Sequence, residues 1–233
     1  SDDMYGEAGA DTFVVDQDGG ATLDVADGGT ELDTASYANF TAGVAIDMTV
    51  LYQSAANSFA AYGDAFYNVE NVTGSALNDT LTGNAGANAL DGGAGNDQVL
   101  GGDGNDALYG SDGLDTLDGG LANDTLSGGE GADSLRGNVG DDSLRGGNAN
   151  DLLYGDAGND QLYGDDGNDS IMGGDGADYL DGGNGDDTLS ADDGDDTLFG
   201  GAGNDSLYGG NGSDTYLIDV NSGQDTINNF NPT

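Results

Sequence analysis

One apolar position recurs every nine residues along most of the chain. Between Gly74 and Leu217 it is filled by Leu81, Leu90, Val99, Leu108, Leu117, Leu126, Leu135, Leu144, Leu153, Leu162, Ile171, Leu180, Leu189, Leu198, Leu207 and Tyr216. Two other columns stay in phase with it. Counting each unit from its glycine, position one is Gly in every unit except that of Ala191, and position six is Asp in every unit except that of Asn88. Sixteen units fill residues 74–217 without insertion or deletion. A fixed period of this kind predicts a solenoid rather than a globular core. Positions one to six read as turn, with glycines at one, four and often two suiting crowded or positive-φ backbone. Positions seven to nine read as strand, with eight pointing inward and seven and nine outward. Two units would make one coil, so that loops two units apart stack on the same edge and opposed leucine columns meet in a thin core.

Outside the array the phase is lost but strand character persists. Over residues 15–73, Ala21–Val25 and Gly43–Val50 alternate apolar and polar residues as half-buried strands do, and Phe66–Thr73 returns to strand before the first unit. Residues 51–64 read as a surface excursion holding a short helix. Residues 1–14 contain one isolated unit, Gly6–Val14, and the stretch from Gly9 to Asp16 matches that from Gly212 to Asp219 in spacing and residue class. This match reads as the end of a preceding repeat block, the chain being one period of a tandem array; the other reading is that both ends are terminal caps. Residues 218–233 read as cap and tail, with a last strand over Tyr216–Val220 and fraying from Asn228.

Charge changes the picture. There are 45 acidic residues against two basic ones, Arg136 and Arg145, for a net charge of −43. Such a composition alone favours disorder through self-repulsion, but a disordered chain has no reason to keep its leucines in phase. One buried leucine per unit gives about 2–3 kcal/mol, less than the entropy of ordering nine residues, and stacked aspartates add repulsion. The folded state therefore needs a counter-charge. Nucleic acid and anionic membrane are excluded as partners because nothing basic meets their phosphates. With no Cys and no His, disulfides and thiolate or imidazole metal sites are excluded. No apolar run approaches the ~20 residues of a membrane span, and no signal peptide opens at Ser1, so export would use another route or the chain is an excised piece. What remains is a hard divalent cation held by carboxylates and backbone carbonyls, calcium above the smaller magnesium, with binding coupled to folding.

The units GGAGNDQVL at Gly92, GGDGNDALY at Gly101, GGNGDDTLS at Gly182 and GGAGNDSLY at Gly200 resemble the GGxGxDxUx repeats of the RTX (repeats-in-toxin, hemolysin-type calcium-binding) family, and Val69–Thr82 resembles the lead-in before such arrays. The resemblance implies an all-β, right-handed parallel β-roll with two nonapeptides per coil, preceded here by an irregular β-rich segment. It also implies type I secretion, folding on calcium outside the cell, and position-six aspartates as metal ligands. These map to Asp79, Asp97, Asp106, Asp115, Asp124, Asp133, Asp142, Asp151, Asp160, Asp169, Asp178, Asp187, Asp196, Asp205 and Asp214, with Asp11 in the isolated unit. Two stacks of eight loops leave up to about fourteen gaps for Ca²⁺. Asn88 would weaken or empty a site, and Leu77, Ala122, Ala149 (position four) and Ala191 (position one) would strain their loops.

An enzyme is not expected. There is no Lys, His or Cys, no HExxH and no GxSxG, and the members of pairs such as Asp186-Asp187 and Asp195-Asp196 share one metal loop, which leaves no acid/base couple of the glycosidase kind. The expected function is that of a calcium-binding structural or spacer module of a secreted protein of adhesin, surface-layer or matrix type, located outside the cell or on its surface, with neighbouring modules as partners. Polysaccharide binding is the alternative, through outward Tyr109, Tyr154, Tyr163, Phe199 and Tyr208 at position nine, as is service as the accessory domain of a secreted enzyme. Against it, these rings would simply cover neighbouring strands. Ice binding would need a flat Thr row; position five is often Asn, but position three is too mixed. Arg136 and Arg145 fall on opposite faces and make no patch.

Overall fold

The computed structural model describes residues 3–6, 8–15, 25–49, 65–219 and 222–228. Among them every regular element is a β-strand and every pairing is parallel. A ten-stranded sheet contains β5 (Ala45–Asp47), β8 (Thr80–Thr82), β10 (Gln98–Asp103), β12 (Thr116–Leu121), β14 (Ser134–Val139), β16 (Leu152–Ala157), β18 (Ser170–Asp175), β20 (Thr188–Asp193), β22 (Ser206–Tyr208) and β24 (Thr226–Asn228), in that order. An eleven-stranded sheet faces it, running through β2 (Thr12–Val14), β4 (Thr34–Ser36), β7 (Asn71–Thr73), β9 (Ala89–Ala94), β11 (Ala107–Asp112), β13 (Thr125–Glu130), β15 (Ser143–Asn148), β17 (Gln161–Asp166), β19 (Tyr179–Asn184), β21 (Thr197–Ala202) and β23 (Thr215–Leu217). Register partners in the array are two units apart, as in Val99↔Leu117 and Leu108↔Leu126. This is the parallel β-roll with two nonapeptides per coil.

The leucine columns of both sheets form one continuous buried cluster from Leu81 to Leu207, with Tyr216 only partly buried at the last coil. Each coil has one large apolar residue per sheet, so each leucine is held by its neighbours above, below and opposite.

The strand is longer than the sequence pattern suggests. It covers positions seven to nine and continues through one to three of the next unit, leaving only four to six as turn. Burial alternates across the junction, so that position one is a second inward-facing site. Glycine stands there because the space above it is taken: a Cβ on Gly155 would lie 2.3 Å from Asp160 Oδ2 and 2.6 Å from the Gly173 carbonyl oxygen. At position four the constraint is conformational as well as steric. Gly131 has φ 123°, and a Cβ on it would meet the Gly113 carbonyl at 1.5 Å. Ala122 and Ala149 occupy the same position at φ 78° and 80°, so these two loops carry the strain expected of them.

The irregular N-terminal segment is the start of the same roll. Thr12 pairs with Thr34, Thr34 with Asn71 and Asn71 with Ala89, so the early coils are 22 and 37 residues long before the spacing settles at 18. Longer coils are what removed the phase. A separate three-stranded parallel sheet stacks β1 (Asp3–Tyr5), β3 (Val25–Asp27) and β6 (Ala65–Tyr67). The strand expected over Phe66–Thr73 is divided between β6 and β7 at Asn68, whose φ is 51°. Tyr37 packs edge-on against Phe40, 5.2 Å between centroids, and closes the core beside these coils. At the other end β23 stops at Leu217, short of Val220, and β24 supplies the last strand. The excursion at 51–64, most of the Ala21–Val25 strand and the tail from 229 lie outside the described residues.

Candidate metal sites

The turn at positions four to six brings each position-six side chain back under its own strand. There the backbone N–H of one aspartate donates to Oδ1 of the aspartate two units on: Asp97 to Asp115 at 2.7 Å, Asp115 to Asp133 at 2.8 Å, Asp160 to Asp178 at 2.8 Å. Two carboxylate columns result, one along each edge. The first runs from Asp79 through Asp97, Asp115, Asp133, Asp151, Asp169 and Asp187 to Asp205. The second runs from Asn88 through Asp106, Asp124, Asp142, Asp160, Asp178 and Asp196 to Asp214.

Only one oxygen of each carboxylate is used in this way. From Asp97 to Asp214 the Oδ2 atoms of all fourteen position-six aspartates are buried without a hydrogen-bond partner. Such an arrangement is costly for an ionised group. Burial, the largest cause, and then neighbouring aspartates push the carboxyls up against the pull of the backbone N–H, to about 7 at Asp124, Asp151, Asp160 and Asp187 and about 6 at Asp97, Asp115 and Asp196. Among the described residues no three acidic side chains converge. A cation between loops would therefore complete its shell with backbone carbonyls, and the position-one carbonyl of the next loop on the same edge faces the same point as Oδ2: the Gly173 carbonyl and Asp160 Oδ2 lie 2.6 and 2.3 Å from where a Cβ on Gly155 would stand. A buried, all-oxygen, anionic donor set fits a hard divalent cation of the size of calcium.

Two expected positions differ. Asp79 is saturated by protein donors: Oδ2 accepts the Ser75 N–H at 2.5 Å, and Oδ1 accepts the Val44 N–H at 2.5 Å and the Ser75 hydroxyl at 2.9 Å. Its loop, which contains Leu77, thus leaves neither carboxylate oxygen without a donor. Asn88 joins its own loop to that of Glu70. Its Oδ1 accepts the Asn84 N–H and its Nδ2 donates to the Glu70 carbonyl, both at 2.8 Å, an arrangement that a carboxylate cannot make. Ala191 accommodates its methyl in the fully buried position-one site, and Asp196 keeps the unpartnered Oδ2 of its column.

Three acidic residues that the pattern did not single out extend the columns. Asp33 accepts the Asp11 N–H, Glu70 accepts the Asp33 N–H, and Asp225 accepts the Asp205 N–H at 3.3 Å. The signals were present. Gly28–Ser36 reads GGTELDTAS, a unit whose apolar position has shrunk to Ala35, and Asp225-Thr226-Ile227 repeats positions six to eight.

A second ladder runs the other way at position five. The N–H of Asn168 donates to Asn150 Oδ1, that of Asp186 to Asn168 Oδ1 and that of Asn204 to Asp186 Oδ1, at 2.8–2.9 Å. Asn and Asp at position five thus tie loop to loop. On the outer faces Arg136 stacks over Tyr154 and pairs with Asp156, while Arg145 stacks over Tyr163 and pairs with Asp165. The two clusters lie on opposite sheets, as expected, and each arginine covers the ring beside it. Tyr109 and Tyr208 stay exposed.

No curated protein matches the chain. The family model described as RTX calcium-binding nonapeptide repeat (4 copies) matches residues 73–108, 100–135, 109–144, 127–162, 145–180, 154–189 and 181–216, more than half of the chain. The chain is a calcium-binding structural module and belongs to the RTX calcium-binding nonapeptide repeat family.

Proposed function

We propose that the chain is a structural and spacer module of a secreted protein of adhesin, surface-layer or matrix type, that it folds on meeting calcium outside the cell, and that it has no catalytic role. The observation that carries this reading is the row of fourteen buried, unpartnered Oδ2 atoms. Bound calcium would supply the positive charge that lets these carboxylates stay ionised and close together. Asp97 to Asp214 at position six would hold it, one cation for each gap between stacked loops with an open Oδ2, while Asp79 and Asn88 mark where each column needs none. At the low calcium of a cell interior the same residues would repel and keep the chain unfolded for export, with type I secretion as the route.

A polysaccharide-binding role has less support, because two of the five position-nine rings, Tyr154 and Tyr163, are covered by arginines. The decisive experiment is a calcium titration followed by far-ultraviolet circular dichroism, with EDTA reversal and a magnesium control. The expected result is a cooperative gain of β-structure with calcium alone. A chain that is β-rich in EDTA at neutral pH would overturn the coupling of folding to metal.

A further inference from the structure

We propose that the C-terminal end of the eleven-stranded sheet, β23 together with Ile218, is a docking edge for β4 of a second copy of this chain, which joins there in exchange for its own β2. The proposal rests on the reading of the chain as a structural module with neighbouring modules as partners, and it names the surface and the segment that make the junction.

The two ends of this sheet carry the same sequence element. The stretch from Gly9 to Asp16 matches that from Gly212 to Asp219 in spacing and residue class, and each forms a three-residue strand at the same place, β2 and β23. β2 is the first strand of the sheet and β23 the last. Exposure agrees at the outward positions: Thr12 and Thr215 are exposed, as are Val14 and Leu217. It differs at the inward ones. Phe13 and Val15 are 6 % and 4 % exposed, whereas Tyr216 is only partly buried and Ile218 is 59 % exposed.

The structure shows what covers the N-terminal element. β4 pairs with β2 through Thr12↔Thr34, Phe13↔Ala35 and Val14↔Ser36, and the Val15 N–H donates to the Ser36 carbonyl at 3.0 Å. Phe13 and Val15 share one buried cluster with Ala35, Tyr37 and Phe40. Among the described residues β23 has no strand on that side. An unpaired edge with exposed apolar side chains is a template for another strand. With the same residue classes in the same register, β23 fits β4 of a second copy as β2 does, with Tyr216 beside Ala35 and Leu217 beside Ser36. The exchange trades like for like, since Tyr216 and Ile218 are covered as Phe13 and Val15 are released, and swapping equivalent elements is a low-cost route to association. The contact is head-to-tail, so it extends into a row of modules instead of closing on a pair.

The chain has no Cys, so disulfide cross-linking reads the junction without background. Leu217→Cys and Ser36→Cys chains are mixed in equal amounts in saturating calcium and oxidised; the two thiols are register neighbours, within disulfide reach, only across the junction. The expected product is the mixed 217–36 disulfide in excess over both symmetric ones. Adding Phe13→Ser to the Ser36→Cys chain, which loosens the strand to be displaced, should raise its yield several-fold. A statistical mixture, a product dominated by 217–217, or a yield that Phe13→Ser leaves unchanged overturns the exchange. Absence of the mixed disulfide while calcium still drives the gain of β-structure overturns the junction alone, whereas a wild type without that gain overturns the calcium-folded module as well. Should the variants fail to fold, sedimentation of the wild type in calcium decides: growth beyond the dimer with concentration supports the junction, and a monomer at every concentration overturns it.

Discussion

If calcium works by relieving ionised carboxylates, protons should do part of the same work. The perturbation is acid applied to the calcium-free chain. In the roll Asp124, Asp151, Asp160 and Asp187 titrate near 7, whereas an aspartate of the unfolded chain titrates near ~3.9. A carboxyl whose folded value is raised favours the folded state fully below the unfolded value, and that contribution is lost as pH rises through the folded value. The window therefore runs from about pH 4 to about pH 7. A shift of about three units is worth about 4 kcal/mol for one such residue. Because the aspartates of a column raise one another, their contributions are shared along the column and do not simply add.

In EDTA the chain should accordingly be unordered near neutral pH and above, and gain β-structure as the pH falls toward 5. Circular dichroism in EDTA at stepped pH reads this directly. The steps stay above the pI of about 4.1, and light scattering checks each for association. Asp160→Asn and Asp124→Asn should move the apo transition to higher pH, since an amide mimics the protonated acid, while lowering the calcium count. A chain that stays unordered in EDTA at pH 5, yet folds with calcium at pH 8, would refute the view that carboxylate charge is what opposes folding.

Other outcomes follow from single positions. Leu153→Ala opens a hole in a core one leucine thick and should cost about 2–5 kcal/mol, read as a lower melting temperature in saturating calcium. Asn88→Asp restores the repeat consensus but sets a carboxylate oxygen against the Glu70 carbonyl; it should destabilise by about 1–3 kcal/mol with the calcium count unchanged, and an extra bound ion would contradict the joint described above. Ala149→Gly relieves a positive φ of 80° and should stabilise by roughly 1 kcal/mol, measured as a raised melting temperature. Amide exchange should be faster at Ala132 and Asn150 than at Asn168 and Asp186, because the residues that would accept from them at position five, Leu114 and Ala132, are apolar; equal protection would mean that this ladder adds nothing to loop stacking.

The array and its carboxylate columns were legible because three residue types recur at fixed offsets, and a solenoid turns sequence period directly into spatial stacking. The strand length was not. Position one looks like a turn glycine, but it is a buried strand residue whose side chain is excluded by the carboxylate above it, and nothing in a single unit distinguishes those two reasons for glycine. The early coils were hidden for a different cause. Their loops return to the same edge after 22 and 37 residues, so a search at period nine loses them even though Asp33 lands in the same column as Asp11.

The two ladders explain why position five varies along the chain while position six does not. At position six, side chains accept from the coil before; at position five, they accept from the coil after, as Asn150 does from Asn168. Each loop is thus held in both directions, and the two bonds place unlike demands on the residue. Position six must present a second oxygen toward the gap, so Asp is kept and Asn appears only at the joint with Glu70. Position five needs one acceptor alone, so Asn, Asp and even an apolar residue are tolerated there. The near-invariance of the one column and the variability of the other along the same chain are what is expected if a cation, and not hydrogen bonding between loops, sets the requirement at position six.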